Sequence, residues 1–178
     1  MENASQPVLW RDMFVVLSSS SAALIGLLFI ATSLHLNEIV NNPILRRRAF
    51  NNTSYLLIAF VEALLILIPQ PMLILGAELI AINLLGLSVP LRFAYIRLKK
   101  SEDFHSGGGF GRGPWPRAII FIVIFLVGIA GGATLVEHLN WGIYLVTTSC
   151  VILLVTVVLN AWSIMVGVGQ TEKITKEN

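Results

Sequence analysis

The stretch EALLILIPQPMLILGAE (residues 62–78) decides the fold of this chain. It consists of two apolar segments on either side of Pro69-Gln70-Pro71, with Glu62 and Glu78 at its two ends. Proline disfavours helix at the residue before it and suits the first turn of a following helix. The tripeptide therefore ends one helix and starts another. Because the connection is so short, the stretch predicts an antiparallel helical hairpin with one glutamate on each arm.

The composition places this hairpin in a membrane. The chain has 178 residues, of which 56% are hydrophobic and 12% charged, whereas about a quarter of a soluble domain is charged. A helix of about 20 apolar residues crosses the ~30 Å hydrocarbon core of a bilayer. We predict an all-α polytopic membrane protein, formed by a single domain with five transmembrane helices. The predicted spans cover about residues 14–34, 50–68, 72–91, 118–136 and 143–166.

The basic residues predict the orientation of these spans. Of the 12 lysines and arginines, three follow the first span, six follow the third and two lie in the C-terminal segment, whereas Arg11 alone lies on the other side. The positive-inside rule then places the N-terminus outside and the C-terminus in the cytoplasm. Residues 97–117 are predicted to form a flexible basic loop and residues 167–178 a cytoplasmic tail. Both would attract anionic lipid headgroups, and no nucleic-acid binding is expected.

The two glutamates of the hairpin fall inside the predicted spans. Each is eight residues from Gln70, so both carboxylates lie about 12 Å below the turn. An ionised glutamate in hydrocarbon costs several kcal/mol, and no Lys or Arg is available at that depth to neutralise it. The compensating charge would be a proton or a bound cation. Hydroxyl residues of other spans reach a similar depth, so the predicted ion or proton site comprises Glu62, Glu78, Ser18, Ser21, Thr147 and Thr148.

Three interpretations of this polar layer stay open at the level of sequence. Protonated glutamates would donate hydrogen bonds that hold neighbouring helices together. Alternatively, the layer is a proton or cation site, or its glutamates contact a partner subunit or lipid. Small residues let transmembrane helices approach closely, within one chain or between chains. We therefore predict helix packing at Gly26, Gly128 and Gly132, and a homo-oligomer or a partner in a membrane complex.

The sequence argues against a metal site or an enzyme. His35, His105 and His138 fall at different depths, so no two of them are placed to ligate a haem or metal. No serine, histidine and acidic residue share a level as a nucleophile requires, and the metalloprotease signature H-E-x-x-H is missing from the sequence. The single cysteine, Cys150, is predicted to pack in the interior. We expect no catalytic activity and no cofactor.

One part of the sequence resembles a known group of proteins. SAALIGLLFIATSLHLNEI (residues 21–39), followed by NPILRRRA (residues 42–49), is similar to the opening of a loose group of small bacterial multi-spanning proteins of unknown function. The resemblance covers about residues 18–49. It implies a location in the bacterial inner membrane and carries over no catalytic residue.

Two functions are the leading hypotheses from these observations, and a lipid-handling enzyme is a weaker third, for which the sequence shows no assembled nucleophile. The first is a cation- or proton-handling channel, transport or sensing protein with an acidic site in the outer half of the membrane. The alternative is a non-transporting accessory or scaffold subunit that modulates a larger membrane complex.

Overall fold

The computed structural model describes residues 6–99, 115–139 and 141–176. Within these ranges the chain is helical apart from short turns, and no β-strand occurs. The predicted all-α class is thus confirmed. The helices are α1 (Gln6–Leu34), α2 (Leu36–Asn41), α3 (Pro43–Leu67), α4 (Met72–Lys99), α5 (Trp115–Val136) and α6 (Gly142–Lys176).

Five of these helices confirm the five predicted spans. All except α2 are long and apolar enough to cross a membrane, and the protein is therefore a multi-pass membrane protein. Most of the predicted loop 97–117 lies outside the described residues. At the C-terminus, α6 continues to Lys176, through most of the segment predicted as a tail. At ~1.5 Å per residue this helix is about 52 Å long, well beyond the thickness of the hydrocarbon core.

The helix boundaries follow from local sequence. α3 ends at Leu67 and α4 begins at Met72, as the Pro-Gln-Pro tripeptide predicts. At the start of α3, the Asn42 side-chain oxygen accepts a hydrogen bond from the Leu45 N–H (3.3 Å), and Pro43 occupies the first helical position. Asparagine before a helix and proline at its first residue are both favoured there. The short α2 that precedes this cap was not predicted.

The chain divides into two compact units. The first contains α1, α2 and α3 together with α6 from Cys150 onward. In this unit α1 packs on α3. The Asn52 amide of α3 donates to the Val157 carbonyl oxygen of α6 (3.2 Å), and the Asn160 amide donates to the Asn52 side-chain oxygen (2.9 Å). Side-chain hydrogen bonds therefore join α3 to α6.

The second unit contains α4, α5 and α6 as far as Ser149. Here α4 and α5 pack through glycines. A Cβ atom placed on Gly76 would lie 2.7 Å from the Gly132 carbonyl oxygen, and one on Gly132 would lie 3.0 Å from the Gly76 oxygen. A Cβ on Gly128 would overlap the Asn83 side chain. The two backbones are thus closer than any larger side chain at Gly76 or Gly132 would permit.

A tight turn joins α5 to α6 within the second unit. His138 has a positive φ of 59°, and its N–H donates to the Leu135 oxygen (3.0 Å). The Leu139 N–H donates to the Thr134 oxygen (2.9 Å). This pair of bonds is the Schellman motif, which usually has glycine or asparagine at the left-handed position. Histidine fills that position here.

Candidate ion or proton site

Of the two glutamates in the predicted site, Glu62 is the more deeply buried. It is 1% exposed, and its Oε2 atom accepts a hydrogen bond from the Cys150 thiol, with 3.0 Å between sulfur and oxygen. Both residues belong to the first unit. The thiol is a weak hydrogen-bond donor. A glutamate in a transmembrane span is thus held against a cysteine in the interior of the protein.

The sequence of α3 explains why Glu62 points inward. Its buried residues recur at the three- and four-residue spacing of one helix face. That face consists of Ala49, Asn52, Tyr55, Leu56, Ala59, Glu62 and Ala63. Small alanines on both sides of Glu62 on this face leave room for neighbouring helices. The position of the carboxyl is therefore set by the same packing that buries the rest of α3.

The two serines of the predicted site also lie in the first unit, on α1. Ser18 and Ser21 are both buried, as predicted for a polar layer. Their hydroxyls donate to carbonyl oxygens of their own helix, at 3.0 Å from Ser18 to Val15 and 2.8 Å from Ser21 to Leu17. A serine that donates its proton retains oxygen lone pairs able to accept. These serines can offer acceptors to a proton donor or a cation.

Glu78 has a different environment. It is half-buried on α4, and its Oε2 accepts a hydrogen bond from the Gln70 side-chain amide at 2.8 Å. Gln70 is the central residue of the Pro-Gln-Pro turn, and both residues belong to the second unit. The Gln70 and Glu78 side chains therefore meet beside the first two turns of α4.

The two threonines of the predicted site differ from one another. Thr148 is exposed, whereas Thr147 is buried, and both lie on the part of α6 in the second unit. Among the residues that the structure describes, the Thr147 hydroxyl oxygen is buried without a hydrogen-bond partner. An unsatisfied buried hydroxyl costs about 1–3 kcal/mol. Of the pair, only Thr147 is placed in the protein interior.

The predicted site is therefore distributed over both units. Glu62, Ser18 and Ser21 lie in the first unit, and Glu78, Thr147 and Thr148 lie in the second. That all six form a single site stays a prediction. In the described ranges, no group of three or more His, Cys, Asp and Glu side chains is placed to hold a metal ion.

The three glycines predicted to pack helices also differ. Gly128 and Gly132 of α5 are in contact with α4, as described above. At Gly26 of α1, a Cβ atom would find no described atom within 4 Å. Packing of Gly26 against another chain stays a prediction.

Sequence reasoning missed Cys150 and Gln70 as hydrogen-bond donors to the two glutamates. Depth alone would have indicated Cys150, since it lies nine residues from Trp141, about 13 Å along the helix. Glu62 has nearly the same predicted depth, about 12 Å from its own turn. Gln70 carried a weaker signal, because a polar residue between two prolines at a membrane surface is unremarkable. Asn52 and Asn160 were also missed as a pair.

Comparisons with known proteins give no relative for this chain. It matches no protein-family profile, no curated protein and no solved structure.

Proposed function

We propose that this membrane protein binds and releases a proton or a monovalent cation at Glu62. The burial of this carboxyl in a transmembrane span, against the Cys150 thiol, is the observation that carries the proposal. Ionisable residues inside spans are costly to bury and commonly mark ion or proton pathways. The protein would accordingly be a channel, a transporter or a sensor.

The chemistry of the Glu62 environment supports a neutralised carboxyl. An ionised glutamate in the membrane interior costs at least a few kcal/mol. A proton or cation on the carboxyl removes the net charge. The buried serines Ser18 and Ser21 supply further oxygen atoms in the same unit.

We also propose an orientation and a location for the protein. The positive-inside rule supports an N-terminus outside and a C-terminus in the cytoplasm. Glu62 lies five residues before the end of α3, about 8 Å along the helix, and that end would then face outside. The resemblance of residues 18–49 supports the bacterial inner membrane. We also propose that the five helices form a single membrane domain and that the protein forms a homo-oligomer.

A flux assay on the full chain in liposomes tests this function. Proton and monovalent-cation flux would be compared for the wild type, Glu62→Gln and Glu78→Gln. Glu137→Gln is the matched control, because Glu137 is exposed in the turn between α5 and α6. We expect Glu62→Gln to reduce flux to the level of empty liposomes and Glu137→Gln to leave it unchanged. Equal flux in wild type and Glu62→Gln would refute transport through Glu62.

Infrared spectroscopy tests whether Glu62 binds and releases a proton or cation, which a sensor and a transporter both require. A protonated carboxyl has a C=O stretching band, and the band that Glu62→Gln removes belongs to Glu62. We expect this band to change with pH or with added cation on the outer side. A band that does not respond to either would exclude both a sensor and a transporter.

The alternative function is an accessory subunit, which one feature of α1 favours. Ser19, Ala22, Ala23 and Gly26 share one face of this helix and are exposed, and small residues of this kind mediate close contacts between spans. A subunit that docks through α1 would tolerate Glu62→Gln, because a protonated glutamate and a glutamine both donate hydrogen bonds. Affinity purification from native membranes should then recover a stoichiometric partner.

A further inference from the structure

The first unit contains a cavity that the proposed ion site does not use. It has a volume of about 110 Å³ and lies between α1, α3 and α6. We call it the leucine crevice, and its inner wall consists of Leu24, Leu28, Asn52, Leu56, Val157 and Ala161. At its mouth, Leu27 and Val158 are 63% and 44% exposed. The crevice therefore opens onto the apolar outer surface of the spans.

The lining of the leucine crevice determines what can fill it. Cavities lined by aliphatic side chains stay dry and take apolar occupants. Asn52 is the one amide among the lining residues, and its side chain already bonds Val157 and Asn160. In a bilayer the apolar molecules at hand are lipid acyl chains. The small volume and apolar lining of the crevice therefore suit part of an acyl chain.

A cluster of positive charge lies on α3 one to two turns before Asn52, which lines the crevice. Arg46, Arg47 and Arg48 are exposed in the first two turns of α3. Arg48 precedes Asn52 by four residues, so it lies about 6 Å further along the helix and within about 40° of the same face. An arginine guanidinium binds phosphate oxygens through paired hydrogen bonds. A phosphate at Arg48 would therefore have its lipid tail directed along the crevice.

We propose that the first unit binds one anionic phospholipid, with its phosphate at Arg48 and part of one acyl chain in the leucine crevice. This inference is independent of proton or cation handling at Glu62. It also goes beyond the general attraction of basic segments to anionic headgroups, since it assigns the headgroup to one arginine and the tail to one crevice.

Native mass spectrometry of the full chain in detergent tests the phosphate contact. The probe is phosphatidylglycerol with two long chains, titrated against phosphatidylcholine as the neutral reference. Arg48→Gln should weaken the first phosphatidylglycerol bound by roughly fivefold, the effect of about one arginine at a membrane surface. The matched control is Arg46→Gln, which removes the same charge about 160° around the helix. The Arg46→Gln variant should bind phosphatidylglycerol within twofold of wild type, because Arg46 lies on another face of the helix than Asn52 and the crevice. Equal losses in the two variants would overturn the assignment to Arg48.

Two measurements test whether an acyl chain occupies the leucine crevice. Ala161→Phe would fill the crevice and should abolish the preference for a long-chain lipid, provided that its thermal unfolding matches wild type. On the wild-type protein, phosphatidylglycerol with two long chains should bind more tightly than glycerophosphate or a very short-chain phosphatidylglycerol. Equal binding of long and short chains would overturn the crevice as the acyl site, and this result requires no variant to fold.

Discussion

The two compact units hold their helices together by different means. In the first, side-chain hydrogen bonds join helices, from Asn52 to Val157, from Asn160 to Asn52 and from Cys150 to Glu62. In the second, glycines bring α4 and α5 into backbone contact, and the bond from Gln70 to Glu78 connects a turn to its own following helix. Interhelical hydrogen bonds and close packing of small residues both help to associate spans in lipid. Among the contacts described above, the first joins α3 to α6 and the second joins α4 to α5.

The contrast extends to the two glutamates that are equally distant from Gln70. Glu62 joins two helices and is almost fully buried, whereas Glu78 is half-buried and bonds to the turn. Glu62 and Glu78 are therefore equally far from Gln70 in sequence, but their surroundings differ. The rotation of each helix about its axis and the identity of its neighbours decide which carboxyl is buried.

The largest expected effect tests the glycine packing of the second unit. Gly76→Leu places a side chain against the Gly132 carbonyl oxygen and the Val136 backbone nitrogen, 2.7 and 3.0 Å from the Cβ position. Overpacking typically costs 1–3 kcal/mol and more where backbone must move, so we expect a loss of about 3 kcal/mol. Thermal unfolding of the purified protein in detergent measures it.

Gly26→Leu is the control for this variant, because a Cβ atom at Gly26 meets no described atom within 4 Å. In the monomer its unfolding temperature should equal or slightly exceed that of wild type, since leucine is a better helix former than glycine; a lower temperature would place Gly26 in a contact between chains. If Gly76→Leu unfolds at the same temperature as wild type, α4 and α5 are not in backbone contact.

An intermediate effect is expected for the amide contacts of the first unit. Asn52→Leu removes two hydrogen bonds between α3 and α6, the one it donates to the Val157 oxygen and the one it accepts from the Asn160 amide. We expect a loss of about 1–3 kcal/mol in the free energy of unfolding. Asn160→Leu should cost less, because Asn160 is half-buried. The double variant should cost less than the sum, since both residues share a hydrogen bond. Strict additivity would contradict that shared bond.

The smallest effects compare the two glutamates directly. Cys150→Ala removes the donor to Glu62, and Gln70→Ala removes the donor to Glu78. We expect losses of about 1–2 kcal/mol for Cys150→Ala and about 0.5 kcal/mol for Gln70→Ala, since the bond to Glu62 is fully buried and the bond to Glu78 is only partly buried. Cys150→Ser, which keeps a donor, should recover part of the loss. A larger effect for Gln70→Ala would reverse the ranking of the two sites.

The existence of the five spans could be predicted from sequence because lipid demands long apolar segments. The face of each span that is buried could not be predicted from sequence. In α1, Phe14 is 0% exposed and Phe29 is 71% exposed, although both are phenylalanines of the same helix. A membrane helix is apolar towards protein and towards lipid alike, so the periodicity that orients a soluble helix is nearly lost.

Prediction from sequence is limited in the same way at the candidate site. The depth of Glu62 followed from counting residues, but its contact with Cys150 depends on the rotation of α3 and α6. Thr147 and Thr148 are adjacent in sequence and equally polar, yet one is buried and the other exposed. Only the packed structure distinguishes them.

Because Cys150 is buried, the rate at which it is alkylated can be used to measure local opening of the protein. The chain has one cysteine, and its side chain is 1% exposed. A maleimide can react with it only when α6 separates from its neighbours, so the alkylation rate reports the free energy of that separation. No cysteine need be introduced or removed, and the thiol being alkylated is the one that contacts Glu62. A ligand that closes this region would slow the labelling in proportion to its occupancy.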